Sequence, residues 1–152
     1  MNPLKLIALD EEDLSVVSSL LQDAVIRVAD MAYVPSQQRF AALVNRFDWE
    51  RALTGADGGY ERRRAALRFD RVRGARLKHL KPRTSSRVLS LLAIGFEATE
   101  PPSGFVTLTF SGDVSIRLNV ECIEAEVRDL GPVWRTRHAP RHPGVEPGGR
   151  GS

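Results

Sequence analysis

A single cysteine, Cys122, among 152 residues excludes an intrachain disulfide. Stability must therefore come from packing, and a reducing compartment fits best. Histidine is almost as scarce: His79 falls in a basic segment, and His138 and His142 fall in a Pro- and Gly-rich tail. A hydrolytic triad has no base in a patterned element, and no Cys or His pair has metal-ligand spacing. His138 and His142 are flanked by Pro140 and Pro143, which forbids a helix presenting both. Long apolar runs are missing too. The stretch from Val88 to Ile94 is far short of the ~20 residues that a membrane-spanning helix needs. The start of the chain lacks the basic and apolar pattern of a secretory signal, so a cytoplasmic protein with no membrane association is expected. The glycine run Gly55-Ala-Asp-Gly-Gly59 lacks the Lys-Ser/Thr that would hold phosphate and metal, and reads as a turn. No cofactor or metal is expected from these absences.

What is present is an ordinary globular composition, 42% hydrophobic and 27% charged, of a length that makes one domain. The net charge of +3 conceals a segregation. From Glu61 to Arg87 eleven Lys or Arg face two acids, and from Gly131 to Ser152 four Arg face Glu146. The rest is an acidic body.

Leu4 to Leu9 reads as a short strand. Asp10 then caps a helix whose apolar face is Leu14, Val17 and Leu21, ending near Gln22. The period changes to two from Ala24, giving a strand to Val34, a turn at Pro35-Ser36 and a returning strand from Phe40 to Phe47. Arg64 to Val72 alternates, with Leu67 and Phe69 opposite Arg68 and Asp70, and slips at Arg71-Val72 as a bulge would. A short strand from Gly74 to Pro82 and a longer one from Val88 to Ala98 follow, the latter offering Val88, Leu92, Ile94 and Phe96 to the core. Phe105 to Phe110 and Val114 to Val120 form a hairpin about Ser111-Gly112-Asp113. Val120, Ile123, Val127 and Leu130 repeat at helical spacing before Gly131-Pro132, which predicts a C-terminal helix. After Trp134, expected to fold back on the core, the composition predicts a disordered basic tail, residues 135–152.

Connections this short forbid parallel crossovers. The expected fold is α+β: a curled or half-closed antiparallel sheet of about six to eight strands, with an N-terminal and a C-terminal helix, in one domain over residues 1–134. In outline this resembles the pleckstrin-homology-like barrel.

Candidate chemistry is thin. Cys122 near a helix N-terminus would have its thiol activated by the dipole, but the stronger reading is a small core side chain. Glu121 and Glu124 share a helical face, which the macrodipole explains without catalysis. Two regions qualify as binding surfaces. Asn45, Arg46, Asp48 and Trp49 form the densest polar and aromatic cluster, with Arg46 placed between acids as a surface ion-pair ladder. The Arg-rich segment 62–87, carrying Arg62, Arg63, Arg64, Arg68, Arg71, Arg73 and Arg76, has the charge to follow a phosphate backbone, yet only Phe69 within it can stack on a base. Its arginines have a second outlet in the acidic body of the chain.

Leu4-Lys-Leu-Ile-Ala-Leu-Asp10, Leu21-Gln-Asp-Ala-Val25, Asp30-Met-Ala-Tyr33, Asn45-Arg-Phe-Asp-Trp49, Leu67-Arg-Phe-Asp-Arg-Val72, Glu121-Cys-Ile-Glu-Ala125 and Asp129-Leu-Gly-Pro132 together resemble an alphaproteobacterial family, domain of unknown function 2948. The resemblance runs from about Leu4 to Trp134. It implies a bacterial cytoplasmic protein of this size and brings no activity with it. The expected function is a non-enzymatic interaction domain that binds a protein partner or a second copy of itself. The alternative is nucleic-acid or anionic-ligand binding through segment 62–87, and an enzyme comes third.

Overall fold

Asp10 decides where the first strand gives way to the first helix. In the computed structural model, which describes residues 3–47, 61–80, 86–131 and 134–135, β1 (Lys5–Ala8) leads into α1 (Glu11–Leu20). The Asp10 carboxylate accepts the Asp13 N–H at 2.8 Å, satisfying a helix-end donor that would otherwise lack a partner. Glu11, Glu12 and Asp13 add negative charge at the positive end of the dipole. Leu14, Val17 and Leu21 are buried, as the helical spacing predicts. The helix lies against β1 and β7 (Val88–Ala98), where Ser18 Oγ accepts the Ile94 N–H at 2.9 Å.

The other strands are β2 (Val25–Arg27), β3 (Met31–Val34), β4 (Arg39–Phe47), β5 (Glu61–Phe69), β6 (Val72–Lys78), β8 (Gly104–Phe110), β9 (Ser115–Val120), β10 (Ala125–Asp129) and β11 (Trp134–Arg135). Every pairing is antiparallel, in the order β1-β10-β5-β4-β2-β7-β8-β9-β6, with β3 on β4 and β11 on β5. β1 and β6 are left as edges, so the sheet is not closed. It is nevertheless curled: β9 and β10 are joined by the short connection 121–124, yet lie near opposite ends of the order.

Two bends divide the sheet. Along β7, Val88, Leu89 and Ser90 pair with β2, while Leu91 to Ala98 pair with β8. At the second bend the chain passes from β5 to β6 through Asp70 and Arg71, the latter at φ 62°. There the Asp70 N–H donates to the Glu124 carbonyl at 2.9 Å and the Glu121 N–H to the Arg71 carbonyl at 3.0 Å. The half containing β1, β10, β5, β4, β3 and β2 and the half containing β8, β9 and β6 share one apolar core. Gly104 is required at its place in β8. A Cβ there would lie 2.5 Å from both the Glu97 carbonyl oxygen and Phe96 Cζ.

Several expectations are corrected. The stretch expected as a C-terminal helix is the end of β9, a connection and β10, so the helix on which the pleckstrin-homology-like outline depended is absent among the described residues. Residues 123–129 also alternate: Ile123, Ala125, Val127 and Asp129 are buried, while Glu124, Glu126 and Arg128 face outward. That period of two prevails because β10 is paired on both sides, by β1 and β5. Among the described residues the sheet has eleven strands rather than six to eight, partly because the 24–34 run is split into β2 and β3 by a 3-10 turn, Val28–Asp30. In β7 the residues buried are Leu89, Leu91 and Ile94, whereas Val88 and Leu92 are 54% and 45% exposed. The register shift between Leu91 and Ala93 changes the parity of that strand. A bulge does follow Arg71, with the shift falling between Val72 and Gly74. The 51–60 loop and the tail after Arg135 lie outside the described residues.

Candidate functional site

The arginines of the basic segment divide by strand position. Along β4, β5 and β10 the buried alternation that begins with Phe40, Leu67 and Val127 ends, at one margin of the core, in Arg46, Arg63 and Asp129. The Asp129 carboxylate accepts Arg46 Nε at 2.9 Å on one oxygen and Arg46 Nη2 at 3.0 Å on the other. It also accepts the Leu4 N–H at 2.8 Å, and Arg63 Nη1 stands 3.9 Å away. The Asp129 side chain is 1% exposed. Burial alone would raise its pKa; the bonds from Arg46 and Leu4 and the charges of Arg46 and Arg63 overcome that and hold it below the ordinary carboxylate value. Arg46 therefore does not form a surface ladder. It faces the core side of β4, and Asp48 and Trp49 lie outside the described residues.

On the outer face of the same half, the acids of the body meet the bases. Arg68 bonds Asp70 at 2.9 Å and Glu126 at 3.1 Å; Arg39 also bonds Asp70, at 2.8 Å, and Arg128 also bonds Glu126, at 3.1 Å. Arg71 reaches Glu124 at 3.4 Å, which leaves Glu121 and Glu124 in a connection and on no helical face. Arg62 lies over the Phe47 ring, 5.6 Å from its centroid, and donates to the Asn45 carbonyl at 3.3 Å. Arg64 is exposed opposite Asn45 and has no carboxylate partner among the described residues.

The other half has no such neutralisation. The register sets two outward rows across β8, β9 and β6: Thr109, Ser115 and Lys78, then Thr107, Arg117 and Arg76. Arg117 lies over the Phe105 ring, with its guanidinium carbon 3.7 Å from the centroid, a contact that leaves its N–H groups free to donate. Arg73, beyond this, donates to Asn119 Oδ1 at 3.4 Å. Arg73, Arg76, Lys78 and Arg117 have no carboxylate partner among the described residues. Leu92, Thr107, Thr109, Ser115, Lys78 and Asp113 line a cleft of about 370 Å³ on this side.

Of the residues singled out from sequence, then, Arg46, Arg63, Arg68 and Arg71 are engaged by acids, Arg62 is stacked, and Arg73 and Arg76 share the cationic face. Arg117 and the three hydroxyls were missed. Alternation along Phe105 to Thr109 turns the threonines outward, but nothing local places them beside β6. Cys122 is half-buried in the connection between β9 and β10, with no helix dipole acting on it. Among the described residues no group of His, Cys, Asp and Glu could hold a metal ion, and no helix is long and apolar enough to cross a membrane.

No curated protein and no solved structure matches the chain. One family model does match, over residues 4–142, past the Trp134 at which the resemblance was drawn, and the chain thus belongs to the family described as Protein of unknown function (DUF2948).

Proposed function

We propose that this chain is a non-enzymatic interaction domain that takes an acidic protein partner on the outer face of β8, β9 and β6. One observation carries the reading: acids of the body engage Arg39, Arg46, Arg63, Arg68 and Arg71, while Arg73, Arg76, Lys78 and Arg117, gathered on one face, have no carboxylate partner among the described residues. Unneutralised cations gathered by strand register attract a partner of opposite charge and speed its encounter. A nucleic-acid strand is the second reading, favoured by the guanidinium stacked on Phe105, on which a base could in turn stack. It is the weaker one, because Phe105 is the one aromatic on that face among the described residues.

The test is fluorescence anisotropy with a labelled Glu-rich peptide and a single-stranded oligonucleotide of equal charge. The peptide is expected to bind in low salt and to be lost in the Arg76→Glu/Arg117→Glu double variant, while Arg68→Gln binds as the parent does. Preference for the oligonucleotide would replace the protein partner by nucleic acid, and binding of neither would end both readings.

A further inference from the structure

The cleft beside the cationic face is lined by hydroxyls and an ammonium whose spacing is set by strand register. Thr109 and Ser115 are directly opposite across β8 and β9, Ser115 is opposite Lys78 across β9 and β6, and Thr107 follows Thr109 on the same side of β8. Directly paired residues have Cβ atoms about 5 Å apart, and alternate residues on a strand are about 7 Å apart. Three hydroxyls and an ammonium therefore line the cleft from one face of the sheet, with Arg76 and Arg117 in the next row. Leu92, 45% exposed, supplies an apolar wall.

We infer that this cleft is an oxyanion site that seats the phosphoryl group of a phosphate monoester. Each hydroxyl offers one donor and the ammonium three. A monoester presents three acceptor oxygens and about −1.5 to −2 charges, whereas a carboxylate presents two oxygens and one charge, so the donor set matches phosphate better. Asp113 lies at the turn between β8 and β9, at one end of the cleft, with its side chain open to solvent. His79 Nδ1 stands 3.0 Å from the Asp113 carbonyl oxygen and 3.4 Å from its carboxylate. The inference rests on the proposed reading of this face and specifies what its partner carries.

Amide chemical shifts of the full chain report the result. Inorganic phosphate, a phosphoserine peptide and its Ser→Glu counterpart are titrated separately at constant ionic strength. The expected outcome is saturable shifts at Thr107, Thr109, Ser115 and Lys78 with both phosphates, at least about tenfold weaker for the Glu peptide. Tighter binding of the phosphopeptide than of inorganic phosphate assigns the group to a modified side chain; equal affinity assigns it to free phosphate. Lys78→Met and Thr109→Val, both at exposed positions, each weaken phosphate about tenfold without altering the melting temperature. Equal response to the Glu peptide, or an oligonucleotide lacking terminal phosphate that displaces phosphate from these residues, overturns the site. Absence of a phosphate response while Glu-rich peptide binding still depends on Arg76 and Arg117 overturns this inference alone; loss of both overturns the reading of the face as well.

Discussion

Asp129 shows how one residue can set the pH response of a domain. Its folded pKa lies below the ordinary value of 3.8, so the stability it contributes is complete above that value and is lost as the pH falls through the lower folded pKa. Asp129→Asn leaves Arg46 buried with one carbonyl in place of a bidentate carboxylate, and breaking such a pair costs about 3–5 kcal/mol. Urea denaturation at neutral pH is expected to show that loss. The variant should also lose less stability than the parent between pH 5 and pH 2, since the titrating group is gone. Gly104 sets a steric limit instead. Gly104→Ala pushes a methyl into the Glu97 carbonyl and the Phe96 ring, and is expected to destabilise by about 1–3 kcal/mol in the same measurement.

At the scale of elements, β10 and β6 are both strands, with opposite surroundings. β10 is flanked by β1 and β5, so its amides on both sides are engaged. Among the described residues β6 pairs only with β9, and in an antiparallel strand alternate N–H groups point to opposite sides. Hydrogen exchange followed by NMR is therefore expected to show unbroken protection from Ala125 to Asp129 and an alternation of slow and fast amides from Gly74 to Lys78. Much of this level is legible in the sequence. The Asp10 cap, the β8–β9 hairpin and the limits of β7 follow from local pattern. β10 was misread because Val120, Ile123, Val127 and Leu130 satisfy a helical spacing as well as a strand alternation over 123–129, and local sequence does not say that two neighbouring strands stand ready to pair with it.

For the whole molecule, the curl of the sheet leaves β1 and β6 at the two ends of the main strand order, and each carries positive charge: Lys5 on β1, and Arg73, Arg76 and Lys78 on β6. Cations on an edge discourage pairing with the same edge of another copy. Replacing Arg76 and Lys78 by Thr keeps the strand and removes the repulsion; light scattering is expected to report a mass that rises with concentration for this variant and stays constant for the parent. The substitutions that release the edge also remove cations from the proposed binding face. Guarding and binding are then two consequences of one charge distribution.

The sequence by itself determined the alternation of the strands, the capped helix, the dependence on packing rather than disulfides, and the concentration of positive charge between Glu61 and Arg87. Only the tertiary structure decided what that charge does. Arg68 and Arg76 are eight residues apart in one run and carry the same charge. One meets Glu126 across a strand pair and the other meets Arg117. The bend at Asp70 and Arg71 sends their strands to different halves of the sheet, each paired with distant residues. A charge's partner depends on register between segments far apart in the chain, 58 residues for Arg68 and Glu126, and the local pattern along the chain does not carry that information.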